Sequence, residues 1–391
     1  MNILLVTGTI PYPPDQGAKI RNLHLLQELS QHANVYLLSF IRGREDLHSV
    51  EVLKEYCIEV ITVPHGRGIF RRAVDLGRSI YSGIPYTVVA HLSKALRRTL
   101  VEAVHSRRID IVQFQEVYVA GNIFKARPEV PCILDAHNCE AQILERTTRL
   151  ERNAVKRIYY AHQRRIMSVY EKKIAGAFDA VFAVSGQDRE FFANISRHVA
   201  LVPNGAPECE AVLGSRDGGI LFTGTLQYPP NRDAVLFFLR EIWPEISAGN
   251  PDVWIDIVGR SPGRALIRYA GPRVRFHTDC EDIQPFFRSS RLLVVPLRAG
   301  SGTRLKILQA FAAGLPVVST SLGAEGISAQ NNQHLLLRDV PRELAAAVLE
   351  LLRSPERANA LAREARTLIT EHYLWGDIVK ECWKTYQLFA A

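Results

Sequence analysis

Short apolar runs alternate with longer amphipathic stretches from one end of this chain to the other. Residues 3–6, 35–40, 58–63, 109–114, 133–135 and 180–184 form a first set of such runs. They are dense in Val, Ile, Leu and Phe without strict alternation, as expected of parallel strands covered on both faces. Between the first two lies a helical stretch with Ile20, Leu23, Leu26 and Leu29 on its inner side, so the unit reads strand–helix–strand. After Leu201-Val202-Pro203-Asn204-Gly205, a turn-forming cluster, the rhythm restarts. Residues 220–222, 254–258, 274–276, 292–295 and 317–319 give a second set of strands, with helices expected near 231–247, 281–289, 303–313, 341–353 and 355–371.

Two successive α/β halves imply two doubly wound, Rossmann-like, parallel-sheet domains facing across a cleft. Ligands of such sheets bind beyond the carboxyl ends of the strands, where strand order reverses. At 391 residues the chain is longer than one core usually serves, and 47% hydrophobic with 23% charged residues supplies two. The expected division is a first domain at 1–203, a second at 204–373, and a final helix at 374–391 packing back on the first domain.

Met1-Asn2 runs straight into a four-residue apolar strand, too short for a signal-peptide core, so a cytoplasmic location is expected. Six cysteines are scattered without a C-x-x-C pair, which fits free thiols in a reducing compartment. The net charge of +8 suits anionic ligands: sugar nucleotides, a lipid diphosphate, or a membrane surface. Nucleic acid is not expected, because no short motif interleaves basic and aromatic residues. One stretch, 146–173, concentrates Arg149, Arg152, Lys156, Arg157, Arg164, Arg165, Lys172 and Lys173 among Ile158, Tyr159, Tyr160, Ile166 and Tyr170. Two readings stand for it: a basic amphipathic helix peripheral to an anionic membrane, or the solvated face of a long domain helix.

The chemistry concentrates in 292–319, which reads strand, Gly-rich turn (Gly300-Ser301-Gly302-Thr303-Arg304), helix, Gly314 cap and strand. Backbone N–H groups of Gly302, Thr303 and Arg304 are expected at the helix N-terminus, where the dipole favours anions. Gly302, Lys306 and Gln309 share one helical face, leaving Leu305, Leu308 and Phe311 to pack inward. This is the pattern of a phosphate cradle with a lysine and a further hydrogen-bonding side chain. A capped helix with a surface lysine is the plainer alternative.

That segment, with Pro316-Val317-Val318-Ser319-Thr320 and Gly323-Ala324-Glu325-Gly326, resembles the donor-binding stretch of family 4 glycosyltransferases of the GT-B fold. Its Gly-Thr-Arg-Leu-Lys-Ile-Leu wording resembles a bacterial exopolysaccharide and cell-envelope subgroup. The resemblance covers essentially the whole chain. It implies a retaining transferase whose C-terminal domain holds a nucleoside diphosphate, with UDP- or GDP-sugar as donor and a glycan or lipid-linked acceptor. The pattern departs where the family has two glutamates: Ser301 and Gln309 stand there, and Gln309 still accepts through its amide oxygen, without charge.

The resemblance also assigns roles elsewhere. In Thr223-Gly224-Thr225, Gly224 after a strand lets backbone approach a ligand, and Asn231 is a donor-binding candidate whose plainer alternative is the N-cap of the next helix. Where the family usually has an arginine and a lysine for the diphosphate, this chain has Asn231 and Arg232, so Lys306 first and Arg304 second are assigned the phosphate charge. Gly17 follows Gln16 where relatives have Gly-Gly, and would let the first turn approach donor. Lys19 is expected in solvent, Asn22 follows it, and Arg21 is assigned to the acceptor. In Asp135-Ala136-His137-Asn138-Cys139-Glu140 the resemblance makes His137 a sugar- or acceptor-side residue; Asp135 is expected to hold a neighbour, and Glu140 receives no role. Glu325 is placed near the sugar.

No D-x-D follows a strand, so no metal ligand is assigned and no cofactor is expected. Leaving-group charge then falls to Lys306, Arg304 and helix N-termini. No G-x-G-x-x-G opens the first turn, which argues against a nicotinamide enzyme. The expected function is sugar transfer. Two rivals are a sugar-nucleotide epimerase on the same scaffold, which would need an acid/base carboxylate set, and a catalytically silent nucleotide-sugar-binding subunit, motivated by Gln309.

Overall fold

The computed structural model describes residues 1–390 apart from 44, 67, 213, 215, 279 and 281. Residue 281, expected to open a helix, and residue 391, at the end of the expected last segment, lie outside the described residues. The chain divides into two units, one of Met1–Thr148, Arg152–Pro203 and Trp375–Ala391, the other of Arg149–Glu151 and Asn204–Leu374.

The first unit is built on seven parallel strands: β1 (Asn2–Thr7), β2 (Asn34–Ile41), β3 (Glu59–Pro64), β4 (Ile111–Gln115), β5 (Cys132–Ala136), β6 (Ala180–Ala183) and β7 (Val199–Leu201). Their spatial order is β3-β2-β1-β4-β5-β6-β7. The chain winds outward from β1 and then crosses to β4 on its other side, so order reverses between β1 and β4. β4 and β5 are buried along their whole length, which is why they carry no polar alternation. The closing helix, Trp375–Ala390, belongs to this unit. Trp375 stacks on His24 of the Gly17–Leu29 helix at 5.2 Å, and the buried Tyr386 donates its hydroxyl to Gln113 in β4.

The second unit repeats the plan with six parallel strands: β8 (Ile220–Thr223), β9 (Ile255–Val258), β10 (Val274–His277), β11 (Leu292–Val295), β12 (Val317–Ser319) and β13 (Leu336–Leu337). The order β10-β9-β8-β11-β12-β13 reverses between β8 and β11. The core is apolar on both sides of this sheet, with Phe222, Phe238, Phe287 and Phe311 almost wholly buried.

Several expectations change in detail. β7 and β13 are too short to stand out as apolar runs, and β7 falls partly in the stretch read as a turn. On the first helix Leu25 is buried, whereas Ile20 is half-buried. The 146–173 stretch is not one helix: Glu140–Leu150 ends, and Ala154–Ala175 restarts where the Asn153 side chain accepts from Lys156 N–H. The helix expected from 231 starts at Pro229, with Pro229 and Pro230 in its first turn, where proline costs no hydrogen bond. Tyr228 is its N-cap, so the capping alternative for Asn231 falls away.

Candidate functional site

At the β8–β11 reversal of the second unit, the turn after β8 brings backbone and side chains into one cluster. Gly224 has φ +146, a conformation L side chains rarely adopt. A Cβ there would lie 2.8 Å from Asn231 Nδ2 and 2.9 Å from Lys306 Nζ. Gly259, beyond β9, makes the matching concession: a Cβ on it would lie 1.9 Å from the Gly224 carbonyl oxygen. Asn231 donates to the Thr225 carbonyl at 3.1 Å and accepts from Lys306 Nζ at 3.1 Å. Freed from capping, it orients the lysine.

Lys306 reaches this cluster from the Leu305–Ala312 helix, which follows β11. Its Nζ also sits 4.5 Å from the centre of the Phe222 ring, a cation–π arrangement. No carboxylate pairs with it among the described residues. Burial pushes its pKa down to about 7, and the neighbouring Arg304 guanidinium adds to the shift. A lysine held by an amide and a ring, without a counter-ion, is suited to receive an anion.

The Gly-rich turn differs from expectation. The helix opens at Leu305, with Arg304 at its N-cap, so Gly302 and Thr303 lie in the turn before it. Arg304 is 8% exposed and folds onto its own turn, donating to the Ser301 and Gly302 carbonyls, with Glu325 at 4.0 Å. In this arrangement the guanidinium closes the turn and reaches the site as nearby positive charge. Gly300 (φ +134) makes room for it, since a Cβ would meet Arg304 Nη2 at 2.8 Å. Thr303 is buried, and its carbonyl accepts from Asn204 Nδ2 at 3.2 Å. Gln309 lies one turn beyond Lys306 and is half-buried, as is Glu325 in the turn after β12.

In the first unit, Arg21, expected at the acceptor, lies inside the protein. It is 1% exposed and grips Asp135 with Nε and Nη2 at 2.9 and 2.8 Å, while Nη1 and Nη2 donate to the Pro203 and Val202 carbonyls. A guanidinium spent in this way fastens the first helix to the end of β5 and to the chain beyond β7. Burial alone would raise the Asp135 pKa; Arg21 and His137 overcome that and hold it below the usual carboxylate value. His137 lies just past β5, 8% exposed, with Nε2 3.0 Å from Gln115 Oε1 and 3.6 Å from Asp135 Oδ2. Gly17 is exposed at the first position of its helix. Lys19, expected in solvent, pairs with Asp15 at 3.3 Å and is only 16% exposed, and Asn22 is buried.

Sequence reasoning missed a carboxylate group at the same edge. Glu116 follows β4 with φ +70, an unusual conformation for a side-chain-bearing residue at a strand-order reversal. Beside it Glu140 is raised to about 7, by burial first and by Glu116 and Asp188, against hydrogen bonds from Tyr118 and Asn138. Glu171 is raised to about 8 by burial and by Glu140, while it accepts the N–H groups of Glu140 and Ala141. The signal for Glu116 was present, since polar residues directly after a wholly buried strand already drew attention to Asp135–Glu140. Glu171 and Asp188 are remote in sequence and carried none.

Residues 217–354 match the family model described as glycosyl transferases group 1. A protein of Klebsiella pneumoniae, described as an uncharacterized 44.6 kDa protein in the cps region, is 23% identical, covering 97% of this chain and 99% of its own. Among solved structures, sucrose-phosphate synthase of Thermosynechococcus elongatus superposes with a TM-score of 0.71 at 16% identity, covering 100% of both chains. HepE of Anabaena, solved with UDP-glucose, gives 0.68 at 16% identity over 99% of each chain. TarM of S. aureus, in a mutant form solved with fondaparinux, α-GlcNAc-glycerol and UDP, gives 0.71 at 11% identity over 99% of this chain and 100% of its own. The fold is GT-B, and with the group 1 domain at 217–354 the chain is a glycosyltransferase.

Proposed function

We propose that this is a retaining, metal-independent transferase of family 4 type, taking sugar from a UDP- or GDP-sugar and delivering it to a glycan or lipid-linked acceptor. The observation that carries the reading is the uncompensated Lys306 ammonium, held by Asn231 and Phe222 over Gly224 at the β8–β11 reversal. A diphosphate supplies the missing negative charge, and Lys306 stabilises it as it leaves. Gln309 takes the ribose hydroxyls through its amide, Glu325 the donor sugar, and His137 the acceptor side. Gly17 gives backbone access at the first turn.

In a retaining transfer of this kind the bond from C1 to phosphate oxygen breaks as the acceptor oxygen bonds C1 on the same face. The acceptor proton passes to the departing phosphate, so no protein nucleophile is assigned. The UDP-glucose bound by HepE and the UDP bound by TarM support a UDP donor, and the cps-region relative supports envelope or exopolysaccharide synthesis. The setting we propose is cytoplasmic, peripheral at the inner membrane face; no helix among the described residues is long and apolar enough to cross a membrane.

The test is a screen of UDP-, GDP-, ADP- and dTDP-sugars in chelator, reading thermal stabilisation and slow diphosphate release. Stabilisation by one nucleotide with release is expected. Stabilisation without release or transfer would instead make the chain a silent binding subunit, and a changed sugar nucleotide without acceptor would make it an epimerase.

A further inference from the structure

The Ile69–Ser82 helix of the first unit is amphipathic the wrong way round for a helix at home in water. Its buried residues are Asp75 and Ser79. At 3.6 residues per turn, Ile69, Phe70, Ala73, Val74, Leu76, Ile80 and Tyr81 share the opposite face. That face is turned out: Phe70 is 84% exposed, Ile80 63% and Tyr81 95%. Arg71 and Arg78 border the apolar arc on one side and Arg72 on the other, and the helix exposes no carboxylate. Asp75, the one acid, is buried with Arg71 and Arg78 beside it at 3.7 and 3.6 Å.

A cavity of about 270 Å³ adjoins the end of this helix. Arg78, Lys94, Arg97 and Lys125 line it together with Phe124 and Tyr170, and no lining residue is acidic. Lys94, Arg97 and Lys125 have no carboxylate partner among the described residues. Lys173 adds a further cation, 5.1 Å above the Phe124 ring. Inside, the Tyr170 hydroxyl is buried with no hydrogen-bond partner among the described residues, on a side chain 7% exposed. Buried hydroxyls are ordinarily satisfied, so one left over in a cationic, partly apolar cavity points to a ligand oxygen. Gly121 keeps the space open, since a Cβ there would lie 2.4 Å from that hydroxyl.

We propose that the Ile69–Ser82 helix lies in the surface of an anionic phospholipid bilayer, and that the adjoining cavity takes the phosphate headgroup of one lipid. The apolar arc enters the acyl boundary while the bordering arginines stay at headgroup level. Lys94, Arg97 and Lys125 neutralise the phosphate, and Tyr170 donates to it. The contact thus centres on a helix that sequence charge did not single out, while Tyr170 and Lys173 of the basic 146–173 stretch stand at its headgroup site. This deepens the membrane-side setting proposed above and rests on that reading for its purpose, but its test involves neither donor nor acceptor.

The experiment is co-sedimentation of the full chain with phosphatidylcholine vesicles, with and without phosphatidylglycerol. Wild type is expected to pellet with the phosphatidylglycerol vesicles. Phe70→Ser/Tyr81→Ser should lose about tenfold or more in vesicle affinity, since both side chains leave an interface they would otherwise enter. Tyr170→Phe should weaken binding severalfold at unchanged melting temperature. Wild type remaining in the supernatant, or variants pelleting as wild type does, overturns the proposal. Tyr170-dependent binding of soluble glycerol phosphate by a chain that stays off the vesicles would make the cavity a site for free phosphate, and overturns the proposal as well. A concentration-dependent dimer abolished by the double variant, without vesicle binding, would assign the helix to protein association and likewise overturn it. A nucleotide screen that fails while vesicles bind would count against the transferase site alone.

Discussion

Lys306 Nζ lies 3.1 Å from Asn231 Oδ1 and 4.5 Å from the centre of the Phe222 ring, with no carboxylate paired to it among the described residues. An ammonium in that setting gives up part of its hydration for a neutral amide and a ring face. Its pKa falls to about 7, through burial first and Arg304 second. The same arrangement that discourages the lone charge rewards it once an anion arrives.

A pH dependence follows. Binding a diphosphate should draw a proton onto Lys306, so apparent affinity should fall by about tenfold per pH unit above pH 7. Calorimetric titration with UDP in buffers of different ionisation enthalpy measures the uptake directly. Lys306→Arg, charged throughout this range, should flatten the profile. A wild-type affinity independent of pH, with no proton uptake, would contradict the assignment.

Gly224→Ala tests the closeness of the turn. The added methyl group meets Asn231 and Lys306 within 3 Å, on backbone at φ +146. We expect a stability loss of about 1–3 kcal/mol and a loss of nucleotide binding larger than that unfolding explains. Chemical denaturation and titration at a temperature where the variant is folded separate the two. Unimpaired binding would show that the turn can move aside.

Arg21→Ala should act on stability. Removing one member of a buried ion pair leaves the other uncompensated, at a cost of about 3–5 kcal/mol. The Asp135 pKa is lowered in the folded state, so the pair's contribution is present above the unfolded carboxylate value and fades as pH falls through the folded one. Urea unfolding across the acid range reads both. An unchanged midpoint with a raised acceptor KM would favour the acceptor role expected from sequence.

The contrast between Arg21 and Lys306 marks how far the sequence could be read. Both lie near carboxyl ends of strands, and both are cations in helices that follow such strands. The strand rhythm and the Pro203-Asn204-Gly205 break made the two sheets legible, because burial on both faces leaves an unmistakable apolar run. The cradle was legible in outline through Gly302–Gln309. What the linear pattern could not reveal is where a long side chain spends its donors. Arg21 meets Asp135, and Arg304 turns back on Ser301 and Gly302, through contacts fixed only by the packed turns. The capping alternative for Asn231 fell away because Pro229 and Pro230 start the helix earlier. The outward apolar face of Ile69–Ser82 was unreadable for a related reason: an amphipathic pattern does not say which face the protein keeps.

Glu171 offers a second pH signature. Its folded pKa, about 8, is raised above the unfolded value, so its stabilising contribution is full below about pH 4.5 and is lost as pH rises through 8. Glu171→Gln keeps an acceptor for the Glu140 and Ala141 N–H groups without the charge. The difference in unfolding free energy between variant and wild type should therefore shift in the variant's favour from about pH 5 to pH 8. A difference constant across that range would mean that Glu171 is ionised throughout.

The most direct test of the central claim is calorimetric titration of UDP into wild type and Lys306→Met in chelator near pH 6.5, alongside their melting temperatures. The account predicts at least about a tenfold loss of affinity in the variant, with a melting temperature equal to or above wild type, because a cation costly to bury has been removed. Wild-type affinity in Lys306→Met would contradict it.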